Sequence, residues 1–217
     1  MKKRKLKISC LIVGTIICIS VIIALPLIHQ AQKSHYNAGL NLINSDISAA
    51  CEHFHKAGNY EDASLNYELL DLCIESQNWD DGKIHSLKKI RDLTNYNSCA
   101  AYQVFSDTKL GKQLVQLQGE WVTTETWHEG ERLDSSIPPE YRIVGGNWRR
   151  IKGISEGSGS LSYLDGTIYL YYSGPTNYNS ITISEDDTVT EIQKSVVEVD
   201  ESEVTLLFKS KWSLFKD

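Results

Sequence analysis

The chain has 217 residues, with 22 Lys plus Arg against 28 Asp plus Glu and a formal net charge of −6. Five of the basic residues fall within the first seven positions, so the remainder carries −11. That balance excludes nucleic acid and anionic lipid surfaces as partners of the main body, because both are held by clustered positive charge.

Residues 1–7 read as a cytoplasmic tail containing Lys2, Lys3, Arg4, Lys5 and Lys7. Residues 8–28, ISCLIVGTIICISVIIALPLI, are 21 positions without a formal charge. At about 1.5 Å per residue they match the ~30 Å hydrocarbon core of a bilayer, which predicts one transmembrane helix. Lys33 is the only basic residue in the next fifteen, so the charge asymmetry keeps the tail inside. The expectation is a single-pass cell-membrane protein with its N-terminus cytoplasmic and its bulk extracytoplasmic. A cleaved signal is the competing reading, but the apolar run is too long for one, and bulky His29 stands where cleavage before Gln32 needs a small side chain. Cys10 precedes most of the run, where an acylated cysteine would follow it.

Residues 29–118 repeat apolar positions at three and four, and from His35 on they contain no proline, the mark of packed helices. Ser45 or Asp46 caps a helix that runs through Ala50, Phe54 and Ala57 and stops at Gly58. The next helix spans Glu61 to Gln77. Another carries Ile84, Leu87, Ile90 and Leu93, and a last one runs from about Ser98 through Leu117. Cys51, Cys73 and Cys99 have no metal-ligand spacing, and the helical offset of the first two is too large for a disulfide, so three reduced, buried thiols are expected. His53 and His55, beside Cys51 and Glu52, invite a metal reading. Residues two apart on a helix point about 200° apart and cannot share an ion.

The Ala50, Phe54 and Ala57 series, with Ala38-Gly39 on the helix before it, resembles the tetratricopeptide repeat. That resemblance implies a short array offering an open helix face to a protein, or serving as a spacer.

Residues 119–217 change to period two, with Gly, Asn, Asp and Ser punctuation, and read as an antiparallel β domain, a barrel or a sandwich. Ten short strands are expected, four of them at Val189–Gln193, Val196–Asp200, Val204–Lys209 and Lys211–Phe215, and Asp165-Gly166 predicts a type I′ hairpin. Gly119-Glu120-Trp121 resembles the G-x-W opening of lipocalins and related small barrels. The resemblance implies that Trp121 plugs one end, that Lys209 or Lys211 packs across it, and that the interior either holds a small apolar ligand or, in so small a barrel, is filled by side chains. The fold class is therefore an α+β multi-module chain: transmembrane helix, helical repeat segment, antiparallel β domain.

In Thr167–Ser173, Ile168, Leu170 and Tyr172 share one face, which leaves Tyr169 and Tyr171 outward as a platform for sugar rings or extended peptide. Glu129, Glu131 and Asp134 are loop carboxylates, the only candidates for an envelope hydrolase. No nucleophile elbow, phosphate loop, cofactor motif or metal motif is present, so no catalytic residue, metal or cofactor is expected. The favoured function is a non-enzymatic binding or interaction protein with a protein or glycan partner at the cell envelope.

Overall fold

The computed structural model describes residues 22, 24–79, 81–128, 131–133, 139–152, 157–171, 178–183, 189–199 and 202–214. Most of the expected span, residues 8–28, lies outside them; among the described residues no helix is long and apolar enough to cross a membrane. The chain divides into two compact units, one ending at Asp71 and including Cys99–Ala101, the other comprising Leu72–Ser98 and Tyr102–Asp217.

In the first unit, α1 covers residues 24–42 and α2 covers Ile47–Ala57. Asp46 is the cap of α2: its carboxylate accepts the Ala49 N–H at 2.9 Å, while Ser45 turns back to the Leu42 carbonyl. The helix ends where the Gly58 N–H reaches the Phe54 and His55 carbonyls. Ala50, Cys51, Phe54 and Ala57 are buried, a stripe set by three- and four-residue spacing. The helices meet at Gly39, where a Cβ would stand 3.0 Å from the Phe54 ring. Tyr36 meets the same ring edge-on at 5.8 Å.

The helix α3, Ala63–Ser76, begins in this unit with a closed polar network. Tyr36 donates its hydroxyl to Asp62 at 2.7 Å, and fully buried Asn66 donates to the same carboxylate oxygen at 2.8 Å. The Asn66 amide oxygen accepts the Ala101 N–H at 2.8 Å. A buried amide with both ends satisfied joins Cys99–Ala101 to a stretch far away in sequence.

In the second unit, the helix expected through Ile84–Leu93 is not formed. The segment holds a two-residue strand β1 at His85–Ser86 and a 3₁₀ turn at Leu93–Tyr96. Two competing interactions explain it. The Asp81 carboxylate accepts the Lys83 N–H at 3.0 Å, giving the backbone a local alternative to a helix. The Leu87 N–H then donates to the Leu161 carbonyl at 2.8 Å, and the Gly146 N–H to that of Ile90 at 3.0 Å. Leu87, Ile90, Leu93 and Tyr96 are all buried, so a strict spacing of three, which suits a helix only loosely, belongs to an irregular segment pinned by its neighbours. The last helix is also divided, into α4 at Ala100–Asp107 and α5 at Lys109–Leu117. Between them the Thr108 hydroxyl donates to the Phe105 carbonyl at 2.7 Å and accepts the Gly111 N–H at 2.9 Å.

The β domain begins at Gly119 and is a closed antiparallel barrel of eight strands. These are β2 Gly119–His128, β4 Glu140–Val144, β5 Asn147–Lys152, β6 Gly157–Leu164, β7 Thr167–Tyr171, β8 Tyr178–Ile183, β9 Val189–Val199 and β10 Ser202–Leu214. The ring runs β6-β5-β4-β2-β10-β9-β8-β7 and closes where β7 pairs with β6; β1 and β3, Glu131–Leu133, pair onto β6 and β2 outside it. Closure leaves no free edge among these strands and decides barrel over sandwich. The four short strands expected at 189–215 are two long ones, paired without a break from Ser202↔Val199 to Trp212↔Val189. Lys194-Ser195 and Ser210 look like punctuation, but no Gly or Pro accompanies them and the ladder continues.

Candidate functional site

Two tight turns and the start of β2 share one end of the barrel. Asp165 and Gly166 have φ of 45° and 84°, the two positive values a type I′ hairpin demands, and Leu164 pairs with Thr167. Gly145 has φ of 57° in the β4–β5 turn, where a Cβ would stand 2.2 Å from the Arg91 carbonyl oxygen. The α5 helix is tied to this end: the Gln113 amide donates to the Gly166 carbonyl at 2.9 Å, and the Gln118 side-chain oxygen accepts the Gly145 N–H at 2.6 Å. Trp121, the tryptophan of G-x-W, is buried here and donates its indole N–H to the Leu117 carbonyl at 2.8 Å. Opposite it on β10 stands Leu214; Lys211 and Lys209 pair with Glu125 and Trp127, further along β2. The register therefore puts neither lysine directly opposite Trp121.

Partners directly opposite one another lie on the same face of a sheet, so the register traces the barrel's inner face all the way round. Trp121 pairs with Tyr141, Ile143 with Trp148, Leu161 with Leu170, Ile168 with Ile181, and Trp212 with both Val189 and Thr123. Trp121, Trp148 and Trp212 are almost wholly buried, and the Tyr141 and Trp212 rings stack at 4.5 Å and 17°. Trp79, stacked on His85 at 4.5 Å, also approaches inner-face Tyr163 at 6.0 Å. This end of the barrel is filled by aromatic rings.

The inner face also carries polar groups. Glu191 pairs with Ile181 and is 4% exposed. Arg150 pairs with Tyr141, donates to its hydroxyl at 3.3 Å and lies 5.4 Å from its ring centroid, a cation–π contact. Neither Arg150 nor Glu191 stands without a partner. Thr123 Oγ1 and the Trp212 indole N–H, on directly opposed residues, are buried without a hydrogen-bond partner among the described residues. A layer of this kind favours a hydrogen-bond acceptor over an alkyl chain as its neighbour, because a buried donor left unpaired is costly. These residues escaped the sequence reading, although the signal was there: Arg150 and Glu191 fall in phase with apolar Trp148 and Val189 on their strands.

Of the tyrosine platform, Ile168 and Leu170 are fully buried and Tyr169 faces the opposite way, half-buried, between Ser162 and Ser180. The side chain of Tyr171 lies outside the described residues. So do Glu129 and Asp134; Glu131 is exposed on β3, paired with His128. The structure does not bring His55 to His53. His55 lies against Tyr67 at 4.9 Å, and His53 Nδ1 faces His35 Nδ1 of α1 at 3.1 Å.

Cys51, Cys73 and Cys99 are buried and form no disulfide among the described residues. Burial, then the charge of Asp71, pushes the Cys51 thiol up to about 11. Burial, then Asp62, pushes Cys99 up to about 12. Both are protonated at neutral pH and lack the thiolate that nucleophilic chemistry needs. No family model, curated protein or solved structure matches this chain.

Proposed function

We propose that the protein is a membrane-anchored, non-enzymatic extracytoplasmic binding protein whose partner is a protein or glycan at the cell envelope. The observation that carries this reading is the start of α1. Ile22, Leu25, Leu27 and Ile28 are 53–68% exposed, and in sequence they end the uncharged run that begins at Ile8. Four large apolar side chains in water on two helical turns are unfavourable, whereas lipid accommodates them. The hairpin of α1 and α2, with Gly39 set against Phe54, supports a single tetratricopeptide-like repeat; the next expected repeat lacks the helix through Ile84–Leu93, so a docking face or spacer is short. Tyr169, flanked by serines on the outer barrel face, supports a contact surface for a sugar ring or peptide.

The test is capture of envelope proteins and cell-wall glycans by the full chain in detergent, with Tyr169→Ser as the weakened variant. Capturing nothing while cleaving a glycan or peptide at a rate that Glu131→Gln abolishes contradicts the proposal. A second reading, a carrier of a small ligand inside the barrel, is favoured by the buried Trp212 N–H and Thr123 hydroxyl. Such a ligand presents a hydrogen-bond acceptor to them rather than being wholly apolar.

A further inference from the structure

Two imidazoles of the helical unit, one from α1 and one from α2, meet nitrogen to nitrogen. His35 lies one helical turn before Gly39, and His53 is the neighbour of Phe54, so both flank the closest approach of α1 to α2. Their Nδ1 atoms face each other at 3.1 Å, with ring centroids 5.3 Å apart and planes inclined by 39°. As a neutral pair, one Nδ1 donates a proton and the other accepts it.

We propose that His35 and His53 form a site for a divalent first-row transition-metal ion, Zn(II) or Cu(II), bound through both Nδ1 atoms. Two metal–nitrogen bonds of about 2.05 Å place their nitrogens roughly 3.3 Å apart at a tetrahedral angle and about 2.9 Å apart at a right angle. The observed separation falls between these values. On binding, the ring that donated through Nδ1 takes that proton on Nε2 instead, by exchange with solvent. Both rings then ligate as neutral imidazoles, the tautomer Nδ1 ligation requires, with no net release of a proton. The ligands are held apart by helix packing rather than by a flexible loop: Gly39 against Phe54, Tyr36 edge-on to the same ring, and Tyr36 tied to Asp62. Glu52, one residue before His53, is ion-paired with Lys56 and leaves the two imidazoles as the ligands. Among the described residues no group of three or more His, Cys, Asp or Glu side chains assembles. Water or a donor from another molecule completes the coordination, which makes this an open site.

The experiment is titration of the purified full chain in detergent with Zn(II), read by competition with a chromophoric chelator, and with Cu(II), read by electron paramagnetic resonance. The expected result is one ion per chain with two nitrogens coordinated to copper. His35→Ala and His53→Ala each lower affinity by about tenfold or more. His55→Ala, whose ring lies against Tyr67, leaves it unchanged. Circular dichroism of each variant reports retained helix, and the nitrogen count in the wild-type spectrum stands whether or not a variant folds. Failure of the wild type to bind, a spectrum with fewer than two nitrogens, or affinity unchanged in both His35→Ala and His53→Ala overturns the assignment.

Discussion

Trp121 and Trp212 make opposite predictions from the same barrel. Both are buried, but the Trp121 indole donates to Leu117 and the Trp212 indole meets no acceptor among the described residues. Replacement by Phe costs each site a similar volume, whereas only Trp121→Phe breaks a hydrogen bond and strands a buried carbonyl. Trp121→Phe is expected to be more destabilising than Trp212→Phe by about 1–3 kcal/mol in urea unfolding. Asn66 is the corresponding residue of the helical unit. Asn66→Ala removes the acceptor of the Ala101 N–H and a donor to Asp62, at a cost of about 1–3 kcal/mol by the same measurement. Gly39→Ala places a methyl 3.0 Å from the fully buried Phe54 ring, which must give by a few tenths of an ångström. It is expected to destabilise by about 1–3 kcal/mol, and Phe54→Leu in the same chain should recover part of the loss.

At the scale of elements, the 81–98 segment and the β4–β5 turn depend on each other. Gly145→Ala forces a side chain into positive φ, which costs about 1–2 kcal/mol, and adds an overlap with the Arg91 carbonyl, so the expected loss in thermal unfolding exceeds that range. The same segment holds a pH-sensitive contact. Asp81 is lowered to about 2, first by its hydrogen bond with His85, then by those from Lys83. A depressed carboxylate contributes stability that is fully present above its unfolded value of 3.8 and is lost as pH falls through about 2. His85→Ala should move the Asp81 titration, followed by NMR, back toward 3.8. The sequence made part of this scale legible. Asp165-Gly166 demanded its turn, Asp46 its cap, and the change of period at Gly119 the first barrel strand, because each is set by local backbone chemistry. The irregular 81–98 segment and the two long strands were not legible, because Leu87 and Ile90 are fixed by partners at Leu161 and Gly146, and strand ends by pairing rather than by composition. The same holds for the inner polar layer, where the pairing of β2 with β10, far apart in sequence, brings Thr123 beside Trp212.

At the scale of the whole molecule, the chain joins an apolar N-terminal run to a helical hairpin and a closed barrel. On the proposed function, lipid covers the exposed Ile22, Leu25, Leu27 and Ile28, and the charge placed before Ile8 is what would set the orientation. Outward orientation is the condition for an envelope partner, since residues facing the cytoplasm never meet a cell-wall glycan. Protease added to intact cells or spheroplasts, with the fragments followed by antibodies to the barrel, measures it most directly. Digestion of the chain from His29 onward without breaching the membrane is the expected result; protection of the barrel until the membrane is broken, or its release into the soluble fraction, contradicts it.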